Sequence, residues 1–177
     1  MSRLRSFTLY TALLDNHHAL NQQLLDGLNN FIDNESTRKS HHFFGRYENI
    51  YISSENIPAL NSVISEVKNL SSEILNRPAE QLKAGLWFNV MNPGDKTTRH
   101  QHDDDDELLS AVYYVQVAEN SGTLQIGKNA VSTEVTPEEG MFVFFSPNMP
   151  HEVTENMSDQ CRISLGINIG PARPEQD

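Results

Sequence analysis

One cysteine in 177 residues, Cys161, leaves no partner for an internal disulfide and suits a reducing compartment. Positive charge is scarce as well: 13 Lys and Arg stand against 24 Asp and Glu, a formal net charge of −11. The field of such a molecule repels phosphate backbones, so nucleic acid is not an expected partner. Long apolar runs are missing. None approaches the roughly 18 residues of a membrane span, and Met-Ser-Arg-Leu-Arg-Ser is not followed by the apolar core of a secretion signal. The expectation is a cytoplasmic protein with no membrane partner. A hydrophobic fraction of 37% and a mean hydropathy of −0.51 fit one soluble globular domain spanning 1–177, large enough to bury a core without disulfides.

Two stretches carry helical periodicity. Leu20, Leu24, Leu25, Leu28, Phe31 and Ile32 recur at spacings of three and four, which predicts a helix over 16–32 with Asp15 as N-cap. Ile57, Leu60, Val63, Ile64, Val67, Leu70 and Ile74 repeat the pattern, with Asn56 as cap and Pro58 in the first turn. Between them, 40–53 holds Phe43, Phe44, Tyr47, Ile50, Tyr51 and Ile52 and reads as a strand or hairpin that can border a substrate entrance. From Lys83 onward the pattern changes to short strands (86–91, 109–117, 123–126, 131–135, 141–145, 151–154 and 162–169) separated by turns such as Asn92-Pro93-Gly94 and Pro137-Glu138-Glu139-Gly140. That many closely spaced strands predict a mainly β (α+β) fold: a double-stranded β-helix jelly roll over 83–170, supported by helices within 1–80, with a disordered tail at 171–177.

Three segments carry the chemistry: His100-Gln101-His102-Asp103-Asp104, Pro150-His151 and Arg162-Ile163-Ser164. Imidazoles and a carboxylate gathered from two strand ends can hold three adjacent positions of an octahedral ferrous ion and leave three open for a chelating cosubstrate and O₂. On a strand, Arg162, Ser164, Gly166 and Asn168 share one face while Ile163, Leu165, Ile167 and Ile169 share the other. Such a strand lines a polar cavity and backs onto a core, and its arginine and serine can grip a dicarboxylate whose other end sits on the metal.

Residues 86–169 resemble the 2-oxoglutarate and Fe(II)-dependent dioxygenase superfamily, in particular its small prolyl-hydroxylase-like bacterial and phage members. The resemblance rests on eight fragments in order: Trp87-Phe88-Asn89, Pro93-Gly94, His100 to Asp104, Ser110-Ala111-Val112-Tyr113-Tyr114, Ser121-Gly122-Thr123-Leu124, Pro137 to Phe145, His151, and Arg162-Ile163-Ser164. It implies an enzyme that uses Fe(II), O₂ and 2-oxoglutarate as cosubstrate, releases succinate and hydroxylates a small molecule, amino acid or peptide side chain. It further implies that Arg162, Ser164 and Tyr114 hold the distal carboxylate of 2-oxoglutarate, that Asn89 and Trp87 meet cosubstrate or substrate, and that Met141, Phe144 and Leu124 wall the site.

Two ligand sets remain open, both with His151 as third member. Counting back from Ser110 selects His102 and Asp104, whereas counting forward from Gly94 selects His100 and His102. Charge favours the carboxylate, which neutralises ferrous iron; a third imidazole also suits zinc or copper. The acid run Asp103 to Glu107 reads either as a solvated loop or as an acidic rim that favours a cationic substrate. His17, His18, His41 and His42 lack a distal partner and are assigned to the surface. The alternatives are a non-catalytic or three-histidine cupin-like binding protein, which has no need of Arg162 and Ser164, and a structural jelly roll. A homodimer is left open.

Overall fold

The computed structural model describes residues 9–102, 106–128 and 131–172. In chain order the elements are β1 (Tyr10–Leu13), α1 (His17–Phe31), β2 (Arg38–Phe43), β3 (Arg46–Tyr51), α2 (Leu60–Leu75), β4 (Leu82–Met91), β5 (Thr97–His100), β6 (Leu109–Gln116), β7 (Leu124–Lys128), β8 (Val131–Val135), β9 (Met141–Phe145), β10 (His151–Val153) and β11 (Arg162–Pro171). A seven-stranded sheet runs β1-β9-β6-β11-β4-β3-β2, and a four-stranded sheet runs β5-β10-β7-β8. Their facing surfaces make the expected double-stranded β-helix.

The two faces of the larger sheet do different work. Ile163, Leu165, Ile167 and Ile169 of β11 point outward with Tyr113, Phe142, Phe144 and Phe88 and are covered by Leu24 and Leu28 of α1 and Leu60, Val63 and Val67 of α2, one continuous buried core. Asn21 of α1 locks this seam: its amide donates to the Val115 carbonyl at 2.8 Å and accepts from the Tyr113 hydroxyl at 2.6 Å. Burial, with Glu139 acting in the same direction, pushes the Tyr113 phenol far above its ordinary range, so it serves as a neutral donor. A smaller cluster of Tyr114, Leu124, Ile126, Val135, Val143 and Phe145 fills the space between the sheets.

Local signals mislead at element ends. α1 is capped by Asn16, in a left-handed conformation at φ 57° and with no side-chain bond, rather than by Asp15; Ala59, not Asn56, precedes α2, and Pro58 lies just outside it. Strand β11 continues through Pro171, paired with Leu82, and the Ala172 N–H donates to the Gln81 carbonyl at 2.7 Å. The segment read as a tail therefore starts inside a strand; residues 173–177 of that reading lie outside the described residues.

Candidate functional site

Register places the polar face of β11 at the centre of the larger sheet. Ser164 pairs with Asn89 on one side and Tyr114 on the other, Gly166 with Trp87 and Val112, and Asn168 with Gly85 and Ser110. Directly paired residues point to the same side of a sheet, so these side chains line one surface between the layers. Gly166 has a steric role there, because a Cβ would lie 2.5 Å from the Trp87 ring that crosses the strand. The resulting cleft encloses about 90 Å³ and is lined among others by Asn89, His100, His102, His151, Arg162 and Ser164. Leu124 and Phe145 supply apolar wall. Phe144, expected there, packs in the outer core, because neighbours on a strand face opposite ways. Met141 packs beside the inner cluster, off the cleft lining.

Arg162 and His151 both line the cleft, one from each sheet. Arg162 is 1% exposed, and one of its terminal nitrogens donates to the Gly122 carbonyl at 3.2 Å. Gly122 sits at φ +92°, where a Cβ would lie 2.4 Å from the Thr154 carbonyl, so only glycine turns this carbonyl toward the guanidinium. The Nε of Arg162 and the hydroxyl of Tyr114 are buried without hydrogen-bond partners, and no carboxylate pairs with Arg162 among the described residues. The guanidinium carbon stands 5.1 Å from the centre of the Tyr114 ring. Burial pushes the Arg162 guanidinium down and the Tyr114 phenol up, each opposed by the charge of the other group and by the close polar approach of the two side chains. A buried cation without a counter-ion is costly, by several kcal/mol even after relaxation. A carboxylate ligand resolves that cost and satisfies both orphan groups.

His100, His102 and His151 each offer a ligand atom, and these atoms lie within 4.8 Å of one another. His100 and His151 face each other directly across β5 and β10, and the His102 N–H is held by the Pro147 carbonyl at 3.0 Å. All three rings have Nδ1 engaged: His100 with the Thr98 carbonyl at 2.8 Å, His151 with the Met149 carbonyl at 2.9 Å, and His102 with both carboxylate oxygens of Glu107 at 3.0 and 3.2 Å. With Nδ1 donating, the lone pair of each ring sits on Nε2, the arrangement of imidazoles ready to bind a metal ion. Burial lowers His151 to about 3, with its Met149 bond opposing and His100, His102 and Arg99 reinforcing, so its imidazole is neutral.

Glu107 was hidden in the acid run. Its side chain is 2% exposed, and it also accepts from the Ser110 hydroxyl at 2.6 Å. Asp106 pairs instead with Lys83 at 2.9 Å, away from the cleft. These two residues therefore form no acidic rim, and Asp104, the expected carboxylate ligand, lies outside the described residues together with Asp103 and Asp105.

The sequence reading also missed residues contributed by β3. Glu48 and Asn49 line the cleft, and Arg46, 9% exposed, bonds Glu48 at 3.2 Å, the Val90 carbonyl at 3.3 Å and the Thr97 hydroxyl at 3.1 Å, pinning one sheet to the other at the cleft edge. Arg46 also reaches the side chain of Asn89 at 3.4 Å. Asn168, on the cleft face of β11, has a buried Oδ1 with no partner.

Comparison with known proteins agrees with this geometry. Residues 86–170 match the family model of the 2OG-Fe(II) oxygenase superfamily. No curated protein matches by sequence. Among solved structures, a Pseudomonas putida prolyl-4-hydroxylase superposes with a TM-score of 0.74 at 19% identity, over 93% of this chain and 94% of that one. A Trichoplax adhaerens prolyl hydroxylase in complex with a hypoxia inducible factor peptide fragment gives 0.69 at 14% identity, covering 94% and 85%. EvdO2 from Micromonospora carbonacea var. aurantiaca, complexed with 2-oxoglutarate, gives 0.66 at 13%, covering 97% and 90%. No helix among the described residues is long and apolar enough to cross a membrane. Residues 86–170, which carry the three cleft histidines and Arg162, thus match the 2OG-Fe(II) oxygenase superfamily, whose enzymes are dioxygenases that use ferrous iron and 2-oxoglutarate.

Proposed function

We propose that the protein is a hydroxylase in which His100, His102 and His151 hold Fe(II) through Nε2 while Arg162, Ser164 and Tyr114 hold the distal carboxylate of 2-oxoglutarate. The observation that carries the reading is Arg162, 1% exposed, whose buried Nε makes no hydrogen bond and which has no carboxylate partner among the described residues. A cupin-like binding protein gains nothing from that cost. What supports the three-histidine set is that each ring is tethered at Nδ1 by its own acceptor.

Iron bound with 2-oxoglutarate and O₂ would supply the oxidation, in which 2-oxoglutarate loses CO₂ and takes one oxygen atom of O₂ to become succinate, and the other oxygen atom enters a C–H bond of the substrate as a hydroxyl. The chain's own residues do the positioning. Arg162, with Ser164 and Tyr114, fixes one end of the cosubstrate by a charge-assisted pair in a site shielded from water. Glu107 holds the His102 ring in one tautomer and supplies, one bond beyond the ligands, the negative charge that an all-imidazole set lacks. Leu124 and Phe145 keep water from the reacting centre, and Glu48, Asn49 and Asn168 offer polar contacts to a small molecule or peptide side chain.

The test is anaerobic titration of the protein with Fe(II) and 2-oxoglutarate, followed by a screen of amino acids and peptides scored by succinate release. The proposal expects 2-oxoglutarate to bind only with metal present, and succinate release to rise with the true substrate. Metal-loaded, folded protein that neither binds 2-oxoglutarate nor releases succinate overturns it.

A further inference from the structure

We propose that His17, His18 and Glu139 form a second divalent-cation site, of the kind zinc occupies, which ties the start of α1 to the turn between β8 and β9. The ligand atoms of the three side chains lie within 4.8 Å of one another, although Glu139 is more than a hundred residues away in sequence. None of the three lines the cleft.

Two of the three are already oriented by a hydrogen bond. Nδ1 of His17 contacts the Leu14 carbonyl at 3.0 Å, which leaves the lone pair on Nε2, as in the cleft histidines. One oxygen of Glu139 accepts the Val117 N–H at 3.3 Å, and the other can face an ion. His18 is exposed, its ring centre 4.2 Å from that of His17, and has the rotational freedom to complete the set.

The backbone brings these groups together. Gly140 sits at φ +81°, and a Cβ there would lie 2.3 Å from the His17 ring, so the absence of a side chain lets the imidazole pack on the turn beside Glu139. The Leu14 N–H donates to the Gly140 carbonyl at 2.9 Å, and the Gly140 N–H to that of Tyr114 at 2.9 Å, fixing the turn against both β1 and β6. Two imidazoles and a carboxylate, with water in a fourth position, make a tetrahedral set suited to zinc. The contrast is His41 and His42, also adjacent and exposed, which belong to no such cluster among the described residues.

The experiment uses chelator-stripped, full-length His151→Ala protein, in which the cleft cluster is broken, titrated with Zn²⁺ by calorimetry and with Co²⁺ by visible absorption. One equivalent should bind and raise Tm. His18→Asn and Glu139→Gln, both on a partly exposed surface and compatible with folding, should each weaken that equivalent roughly tenfold or more and remove the Tm rise. His42→Asn should change neither. In the His151 wild-type background the same variants should lower the stoichiometry from two to one. Absence of the second equivalent in that background, or its survival in both His18→Asn and Glu139→Gln, overturns the proposal.

Discussion

The carboxylate of Glu107 grips Nδ1 of His102 at 3.0 Å from a position that is 2% exposed, and its other oxygen is held by Ser110. A buried acid in this position acts on whatever the opposite edge of the imidazole binds. It fixes the tautomer, raises the basicity of Nε2 and places negative charge near a cation without occupying a coordination position.

Glu107→Gln should therefore keep the fold but lower Fe(II) or Co(II) affinity about 10- to 100-fold, the ordinary cost of losing a group that orients a ligand. Anaerobic competition against a coloured chelator measures it. Unchanged affinity would leave Glu107 a purely structural residue.

The ligand set separates by two substitutions. With His100, His102 and His151 as ligands, His100→Ala should abolish tight iron binding while Asp104→Ala leaves it largely intact, read by metal stoichiometry after dialysis. The reverse result would return the site to His102, Asp104 and His151.

Gly122→Ala tests how the turn serves Arg162. Its φ of +92° and the 2.4 Å approach of an added Cβ to the Thr154 carbonyl predict a loss of at least about 1–3 kcal/mol in stability, seen in urea unfolding. Because the Gly122 carbonyl holds the guanidinium, 2-oxoglutarate affinity should fall along with stability. A variant as stable as wild type would contradict the backbone argument.

What could be read from the sequence follows from periodicity. In β11, Arg162-Ile163-Ser164-Leu165 alternates strictly, and the structure turns the polar set to the cleft and the aliphatic set to the helices. Met141 to Phe145 is apolar throughout, so nothing in it distinguishes Phe144, in the outer core, from Phe145, in the cleft wall. Strands β1 and β5 are four residues each and too short to carry a pattern. Glu107 is one of five consecutive acids, and only the turn of the chain into β6 separates it from Asp106 on the surface. His17 and His18 look unpartnered because Glu139, which lies beside them in space, is more than a hundred residues away in sequence.

The central claim is that Arg162 receives the cosubstrate, and the direct measurement is 2-oxoglutarate binding to anaerobic, Fe(II)-loaded wild type and Arg162→Leu, followed by the weak visible charge-transfer band of a chelated ferrous ion. Wild type should show the band. The variant should keep its fold and metal stoichiometry, because Arg162 is not one of the proposed iron ligands, yet lose about 2–5 kcal/mol of binding, the cost of stranding a desolvated carboxylate. At about 1.4 kcal/mol per decade this is roughly a 30-fold to several-thousand-fold weaker Kd. A variant that binds 2-oxoglutarate as tightly as wild type, or a metal-loaded wild type that shows no band at saturation, would contradict the account.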